Sequence, residues 1–160
     1  MTVVAPICVI VLAHQEEARI ATCMNSLPLG DESVAIHIIV NGSTDRTAII
    51  ARDIAVNHLN VTVHEFFEGG KSRSWNRAMF DTLPAFHPVH VFVDGDAEVA
   101  AGSIAALASA LYSDPHANAA AALPLNGRKV EHYRQAIRRE HGLFGALYAL
   151  RGDFIARMKA

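Results

Sequence analysis

The sequence predicts an α/β fold: a three-layer αβα sandwich in which helices cover both faces of a mostly parallel sheet. Three observations carry that expectation. Short β-branched runs recur at residues 7–12 (ICVIVL), 35–40 (AIHIIV), 61–66 (VTVHEF) and 89–93 (VHVFV). The first, second and fourth are apolar almost throughout, as strands buried on both faces are. Between the runs lie segments long enough, and patterned, for a helix, the spacing that right-handed βαβ crossovers need.

Each element follows from a local signal. After the first strand, Ile20, Cys23, Met24 and Leu27 recur at helical spacing, which predicts a helix over 16–27. The second strand ends at Asn41-Gly42. Ser43 or Thr44 can cap a helix to about residue 57, with Ile49, Ile50 and Ile54 turned inward. The third strand runs into a Gly69-Gly70 turn, and the following helix is expected over 72–83, ending before Pro84. The fourth strand stops at Asp94-Gly95-Asp96. Residues 102–112 read as a helix and 119–125 as a weaker fifth strand. Residues 128–140 read as a polar, basic helix and 146–150 as a further strand. No repeat or linker divides residues 1–160, so one domain is expected. Arg157-Met158-Lys159-Ala160 closes the chain just after an apolar segment, which reads as a truncation.

Composition removes several classes of function. The 160 residues carry 14 Lys plus Arg against 16 Asp plus Glu, a formal charge of −2, which excludes a generally basic nucleic-acid binder. With 51% hydrophobic and 19% charged residues the chain is not of the disordered type. No apolar stretch reaches the roughly 18 residues of a membrane span. No basic residue precedes the first apolar run, so a secretory signal is not expected. Cys8 and Cys23 form neither a CxxC pair nor a disulfide framework and read as free thiols of a reducing compartment. A cytoplasmic location is the resulting expectation.

Open parallel sheets bind ligands beyond the carboxyl ends of their strands. Here those ends carry Ala13-His14-Gln15-Glu16, Asn41-Gly42-Ser43-Thr44-Asp45, Phe67 to Lys71, and Asp94-Gly95-Asp96. Asp94 and Asp96 stand two apart, so their carboxylates can lean to one side, and Gly95 tolerates an unusual backbone angle. One can coordinate Mg²⁺ or Mn²⁺ while the other holds a ribose hydroxyl or a metal-bound water. The competing reading is a solvated turn. Asn41 has a donor and an acceptor for a planar base edge, against a plain role in the turn. His14 can stack on a base. Lys71 and Arg73 can offset diphosphate charge, the first as a point cation and the second in bidentate fashion, or can simply be a solvated helix start. There is no P-loop and no GxGxxG. Nine histidines lack HExxH spacing, so zinc is not expected, and His37 and His90 read as packed or edge residues of their strands.

As an ordered set, VIVLAHQEEARI, IIVNGSTDRTAIIAR, GGKSRSWNRAM, VFVDGDAEV and GLFGALYALRGDF resemble a family 2 glycosyltransferase of the GT-A fold. The resemblance spans nearly the whole chain. It implies a Rossmann-like nucleotide-diphospho-sugar transferase fold, a nucleotide-sugar donor and a divalent metal. Carried over by position, Ala13, His14 and Glu16 line the nucleobase pocket, and Asn41 falls where the family has an aspartate contacting uracil. Lys71 matches the lysine of the family's GK segment. Asp94-Gly95-Asp96 matches its DXD motif, with Asp94 at the ribose and Asp96 on the metal. Leu12 replaces a common proline, His14-Gln15 a frequent Tyr-Asn, and Asn41 the aspartate. UDP is the favoured nucleotide.

The family's general base comes from an acidic motif beyond the GLFGALYALRGDF segment, so it is expected outside this chain, together with the acceptor-binding elements. The expectation is therefore the donor-binding part of an inverting, hexosyltransferase-like enzyme with an unknown acceptor, saccharide, lipid or other. The alternatives are a sugar-nucleotidyltransferase, disfavoured by the absence of glycine in Ala13-His14-Gln15-Glu16, and a non-catalytic nucleotide-binding module. Arg128, Lys129, Arg134, Arg138 and Arg139 read either as a solvated helix face balanced by Glu131 and Glu140, or as a peripheral contact with anionic lipid at the inner face of the membrane.

Overall fold

The computed structural model describes residues 5–83, 86–126, 130–140, 143 and 145–159. β1 (Ile7–Ala13) lies inside a six-stranded sheet and pairs in parallel with β2 (Val34–Asn41) on one side and β4 (Val89–Asp94) on the other. β3 (Val61–Phe66) extends the parallel part beyond β2. β6 (Leu147–Arg151) runs antiparallel to β4, and the short β5 (Ala119–Ala121) pairs antiparallel with β6, giving the order β3-β2-β1-β4-β6-β5.

The period-two alternation of β1 separates two cores. Val9, Val11 and Ala13 pack toward α1 (Ile20–Asn25), α2 (Thr47–Ala55) and α4 (Ser103–Ser113). Cys8, Ile10 and Leu12 pack toward α3 (Lys71–Arg77), the π-helical turn Ala78–Thr82 and α6 (Gly152–Lys159). Burying each large aliphatic side chain here contributes about 1.5–3 kcal/mol. This is the sandwich expected from the continuous apolar runs.

Several boundaries move, each for a local reason. α1 starts four residues late because residues 16–19 form a turn: the Arg19 and Ile20 amides both donate to the Glu16 carbonyl (2.9 and 2.8 Å). α2 starts at Thr47 because the Asp45 carboxylate accepts from both the Thr47 amide (3.0 Å) and the Thr47 hydroxyl (2.6 Å). That shift in phase leaves Ile49 exposed, contrary to expectation, and turns Thr47, Ala48 and Ala51 inward. The helix expected over 72–83 splits, and the Leu83 amide donates to the Ala78 carbonyl (2.9 Å) at the π-helical end. The fifth strand is three residues long rather than seven. α5 (Val130–Glu140) is the expected polar helix and buries no residue, while Arg128 and Lys129 lie outside the described residues.

α6 was not anticipated. Its start is pinned by Arg151, whose side chain donates to the carbonyls of Ala117 (2.6 Å), Asp114 (2.9 Å) and Leu111. His37 and His90 are packed, as expected. His37 Nδ1 and His64 Nε2 share a hydrogen bond of 3.0 Å, and His90 is fully buried under α6.

Candidate functional site

The carboxyl ends of β1, β2 and β4 meet at one edge, bound into a unit by the loop after β1. Gln15 sits at φ +54°. Its side-chain carbonyl accepts from the amides of Thr44 (2.8 Å) and Asp45 (3.2 Å), and its side-chain amide donates to the Thr44 hydroxyl (3.0 Å). The Gln15 and Glu16 amides donate to the hydroxyls of Ser43 (3.0 Å) and Thr47 (2.8 Å), and the Glu17 amide to Asp45 (3.1 Å). This lacing was not legible in the sequence, because nothing local marks Gln15 for a left-handed backbone.

Asn41 is 4% exposed. Its side-chain amide donates to the Ala13 carbonyl (3.0 Å), and its Oδ1 accepts from the Gly70 amide (3.3 Å). Asn41 is therefore a strut joining three strand-end loops, and one N–H of its amide and the second lone pair of Oδ1 remain for a base edge. His14 is exposed, with Nδ1 2.7 Å from the Asn41 carbonyl, so its ring is fixed over the same edge.

Gly95 is required for space rather than for backbone angle, which corrects the sequence argument. It does not have a positive φ. A Cβ there would lie 2.7 Å from the Ala13 Cβ and 2.9 Å from the Ala13 Cα. The Gly95 amide donates to the Leu12 carbonyl (2.9 Å), so the tips of β1 and β4 are drawn together and Asp94 and Asp96 stand beside Ala13.

Both acids have cationic partners. Lys71, at the start of α3, forms an ion pair with Asp94. Asp96 Oδ2 lies 3.5 Å from Nη1 of Arg19, whose Nε donates to Glu16 (3.0 Å). Arg19 thus links Glu16 to Asp96, and sequence reasoning missed it; its position three residues after Glu16 was the available signal. Beneath them the Cys23 thiol is pushed up to about 12, first by burial and then by the charges of Asp96, Asp94 and Glu16. The thiol donates to the Asp94 backbone carbonyl (3.6 Å), which seats it under the same turn. Arg73, by contrast, is not brought to this cluster; it pairs with Glu68 (3.2 Å).

The donor set suits a hard divalent cation. Among the described residues no group of three His, Cys, Asp or Glu side chains is placed to hold a metal ion. Mg²⁺ and Mn²⁺ do not need one, since they commonly take one or two carboxylates and complete their shell with phosphate oxygens and water. Asp96, 44% exposed at its side chain, and Asp94, 28% exposed, are the residues that would ligate it.

A doubly wound sheet with an acidic pair at the switch between β1 and β4 defines a Rossmann-like α/β protein of the GT-A type. The chain belongs to glycosyl transferase family 2, whose model matches residues 8–158. Among solved structures it is similar to the mannosyltransferase PcManGT from Pyrobaculum calidifontis in complex with GDP-Man and Mn²⁺ (TM-score 0.79, 22% identity, 96% of this chain and 46% of that one). It is also similar to glucosyl-3-phosphoglycerate synthase from Mycobacterium tuberculosis with Mn²⁺, UDP and glucosyl-3-phosphoglycerate (0.69, 25%, 93% and 57%). A third is TarS 1–349 of S. aureus with UDP-GlcNAc (0.67, 18%, 96% and 47%). The chain thus spans about half the length of these structures. No curated protein matches it.

Proposed function

We propose that residues 1–160 are the nucleotide-sugar-binding part of an inverting glycosyltransferase of the hexosyltransferase kind, with a UDP-sugar as donor. The observation that carries this reading is one sheet edge that holds His14 (hydrogen-bonded to Asn41), Glu16 and Asp96 (bridged by Arg19), and Asp94 (paired with Lys71). His14 stacks on the base, and Asn41 holds the loop that supports it. Asp94 accepts from the ribose hydroxyls, and Asp96 carries the metal. Lys71 is free to turn from Asp94 to a diphosphate oxygen. Mg²⁺ or Mn²⁺, when bound, supplies Lewis-acid stabilisation of the departing nucleotide.

The base that deprotonates the acceptor hydroxyl must stand opposite the leaving diphosphate. No acid of this chain is assigned that role, and we place it, with the acceptor site, outside residues 1–160. The half-length coverage of the similar structures supports that division. Localisation is proposed as cytoplasmic, with α5 offering Arg134, Arg138 and Arg139 to an anionic membrane surface. No helix among the described residues is long and apolar enough to cross a membrane.

Titration calorimetry of UDP, with and without Mn²⁺, together with a UDP–Mn²⁺ soak of crystals, tests the reading. Nucleotide at the carboxyl edge of β1, β2 and β4 is the expected result. Absence of binding at millimolar UDP, or nucleotide at another edge, overturns it.

A further inference from the structure

A groove of about 460 Å³ runs along the flank of α3 that faces β3. It is separate from the donor cluster. Lys71 and Trp75 point toward β4, where Lys71 pairs with Asp94 and Trp75 stacks on Phe92 (centroids 5.4 Å apart). Ser74, Arg77 and Asp81 follow one another at spacings of three and four on the other flank and line the groove with Phe66, Glu68 and Arg73. Its volume is within the range of small-molecule sites, roughly 300–1,000 Å³.

Two of its groups lack polar partners. The Arg77 guanidinium lies over the Phe66 ring, 4.3 Å from its centroid, and makes no ion pair or hydrogen bond among the described residues. Stacking holds a guanidinium flat while leaving its in-plane N–H fork open. The Ser74 hydroxyl belongs to a residue 1% exposed and has no hydrogen-bond partner among the described residues. Buried hydroxyls are normally satisfied, and this one, with almost no accessible surface of its own, meets a ligand in the groove after rotating about χ1.

Charge narrows the ligand. Arg73 is matched by Glu68 (3.2 Å), and Asp81 stands along the groove from Arg77. The lining has no excess positive charge for a phosphate dianion. A single carboxylate fits an unpaired guanidinium fork, and neutral hydroxyls fit Ser74 and the Asn76 amide. We propose that this groove binds a carboxylate-bearing saccharide, a hexuronate unit, with the carboxylate on Arg77 and a ring hydroxyl on Ser74. The proposal stands whether or not the donor reading holds.

The test is two-dimensional NMR on the ¹⁵N-labelled chain, with D-glucuronate, D-glucose and glucose 6-phosphate as probes. D-glucuronate is expected to shift the Arg77 Nε–H and the amides of residues 73–77 saturably, while D-glucose leaves them in place. Arg77→Gln is expected to weaken glucuronate binding about tenfold, and Arg77→Lys, which keeps the charge but loses the fork, by a comparable factor. Ser74→Ala removes an unpaired buried hydroxyl, so Tm should hold or rise while affinity falls about threefold. UDP affinity should be unchanged in Arg77→Gln, which separates this groove from the donor site. Equal glucuronate binding by wild type and Arg77→Gln, shifts at residues 94–96 instead of 73–77, or tighter binding of glucose 6-phosphate than of glucuronate would each overturn the proposal.

Discussion

The ammonium of Lys71, first residue of α3, is ion-paired with the carboxylate of Asp94, last residue of β4, across 23 positions of sequence. Arg19 stands on the other side of the same turn, 3.5 Å from Asp96. Each acid of the Asp94-Gly95-Asp96 turn therefore has its own cation, and the two cations reach it from different helical layers. That arrangement balances the acidic edge and leaves both acids open to exchange their partners for a ligand.

Asp96→Asn and Asp94→Asn are expected to separate the two carboxylates. Asp96→Asn keeps the shape but loses the anionic ligand, so UDP affinity should lose its Mn²⁺-dependent part. Asp94→Asn should weaken UDP binding while keeping most of the Mn²⁺ enhancement. Calorimetry on both variants with and without Mn²⁺ reads this out, and equal enhancement in wild type and Asp96→Asn would refute the assignment.

Lys71→Met should lower UDP affinity about tenfold, the scale of one charge-assisted contact to diphosphate. Its effect on stability should stay within about 1 kcal/mol, because the pair with Asp94 is substantially exposed on the lysine side. Urea unfolding alongside UDP titration distinguishes a binding role from a structural one; a large loss of stability with unchanged affinity would reverse the roles.

Gly95→Ala should destabilise the chain by about 1–3 kcal/mol, the range for overpacking. The added methyl meets Ala13 Cβ at 2.7 Å and Ala13 Cα at 2.9 Å, and backbone cannot give way as a flexible side chain does. Separating the tips of β1 and β4 also displaces both acids, so UDP affinity should fall with Tm. An unaltered Tm would mean the strand tips are looser than this packing implies.

Two packed imidazoles, His90 buried and His37 half-buried, make stability depend on pH. Burial, followed by the nearby His87 and His37, pushes His90 down to about 3, and burial, followed by His64 and His87, pushes His37 down to about 4. Between those values and the ordinary value of 6.5 the unfolded chain binds more protons than the folded one. The contribution is therefore fully present above about pH 6.5 and is lost as pH falls toward 3–4, by about 1.4 kcal/mol per pH unit per imidazole. Urea midpoints measured from pH 7.5 to 4.5 should fall accordingly, and His90→Gln should flatten the slope. A wild-type slope unaffected by that substitution would place the acid sensitivity elsewhere.

The layers and the gathering of the candidate residues at one end of the strands were legible in sequence because they rest on local signals. Continuous β-branched runs mark buried parallel strands, helical spacing marks what covers them, and Asp94-Gly95-Asp96 interrupts an apolar strand where chain reversal and charge coincide. Helix starts were less legible. The Asp45–Thr47 bonds and the Glu16 turn compete with helix at positions that propensity alone favours, and so Ile49 turned outward.

Tertiary structure decided which polar groups are free. Asn41, Lys71 and Arg73 carry similar promise as isolated residues, yet Asn41 is tied to the Ala13 and Gly70 backbones, Lys71 reaches Asp94, and Arg73 turns to Glu68. Gln15 and Arg19 became part of the edge because β1 pairs in parallel with β2 from Ile7–Val34 to Ala13–Val40 and with β4 from Ile7–Val89 to Leu12–Asp94, which brings the following loops side by side. A side chain's hydrogen-bonding capacity is written in its chemistry. Whether a ligand can use it depends on which backbone groups the packed strands bring within about 3 Å, and that distance is set by long-range register rather than by neighbours in sequence.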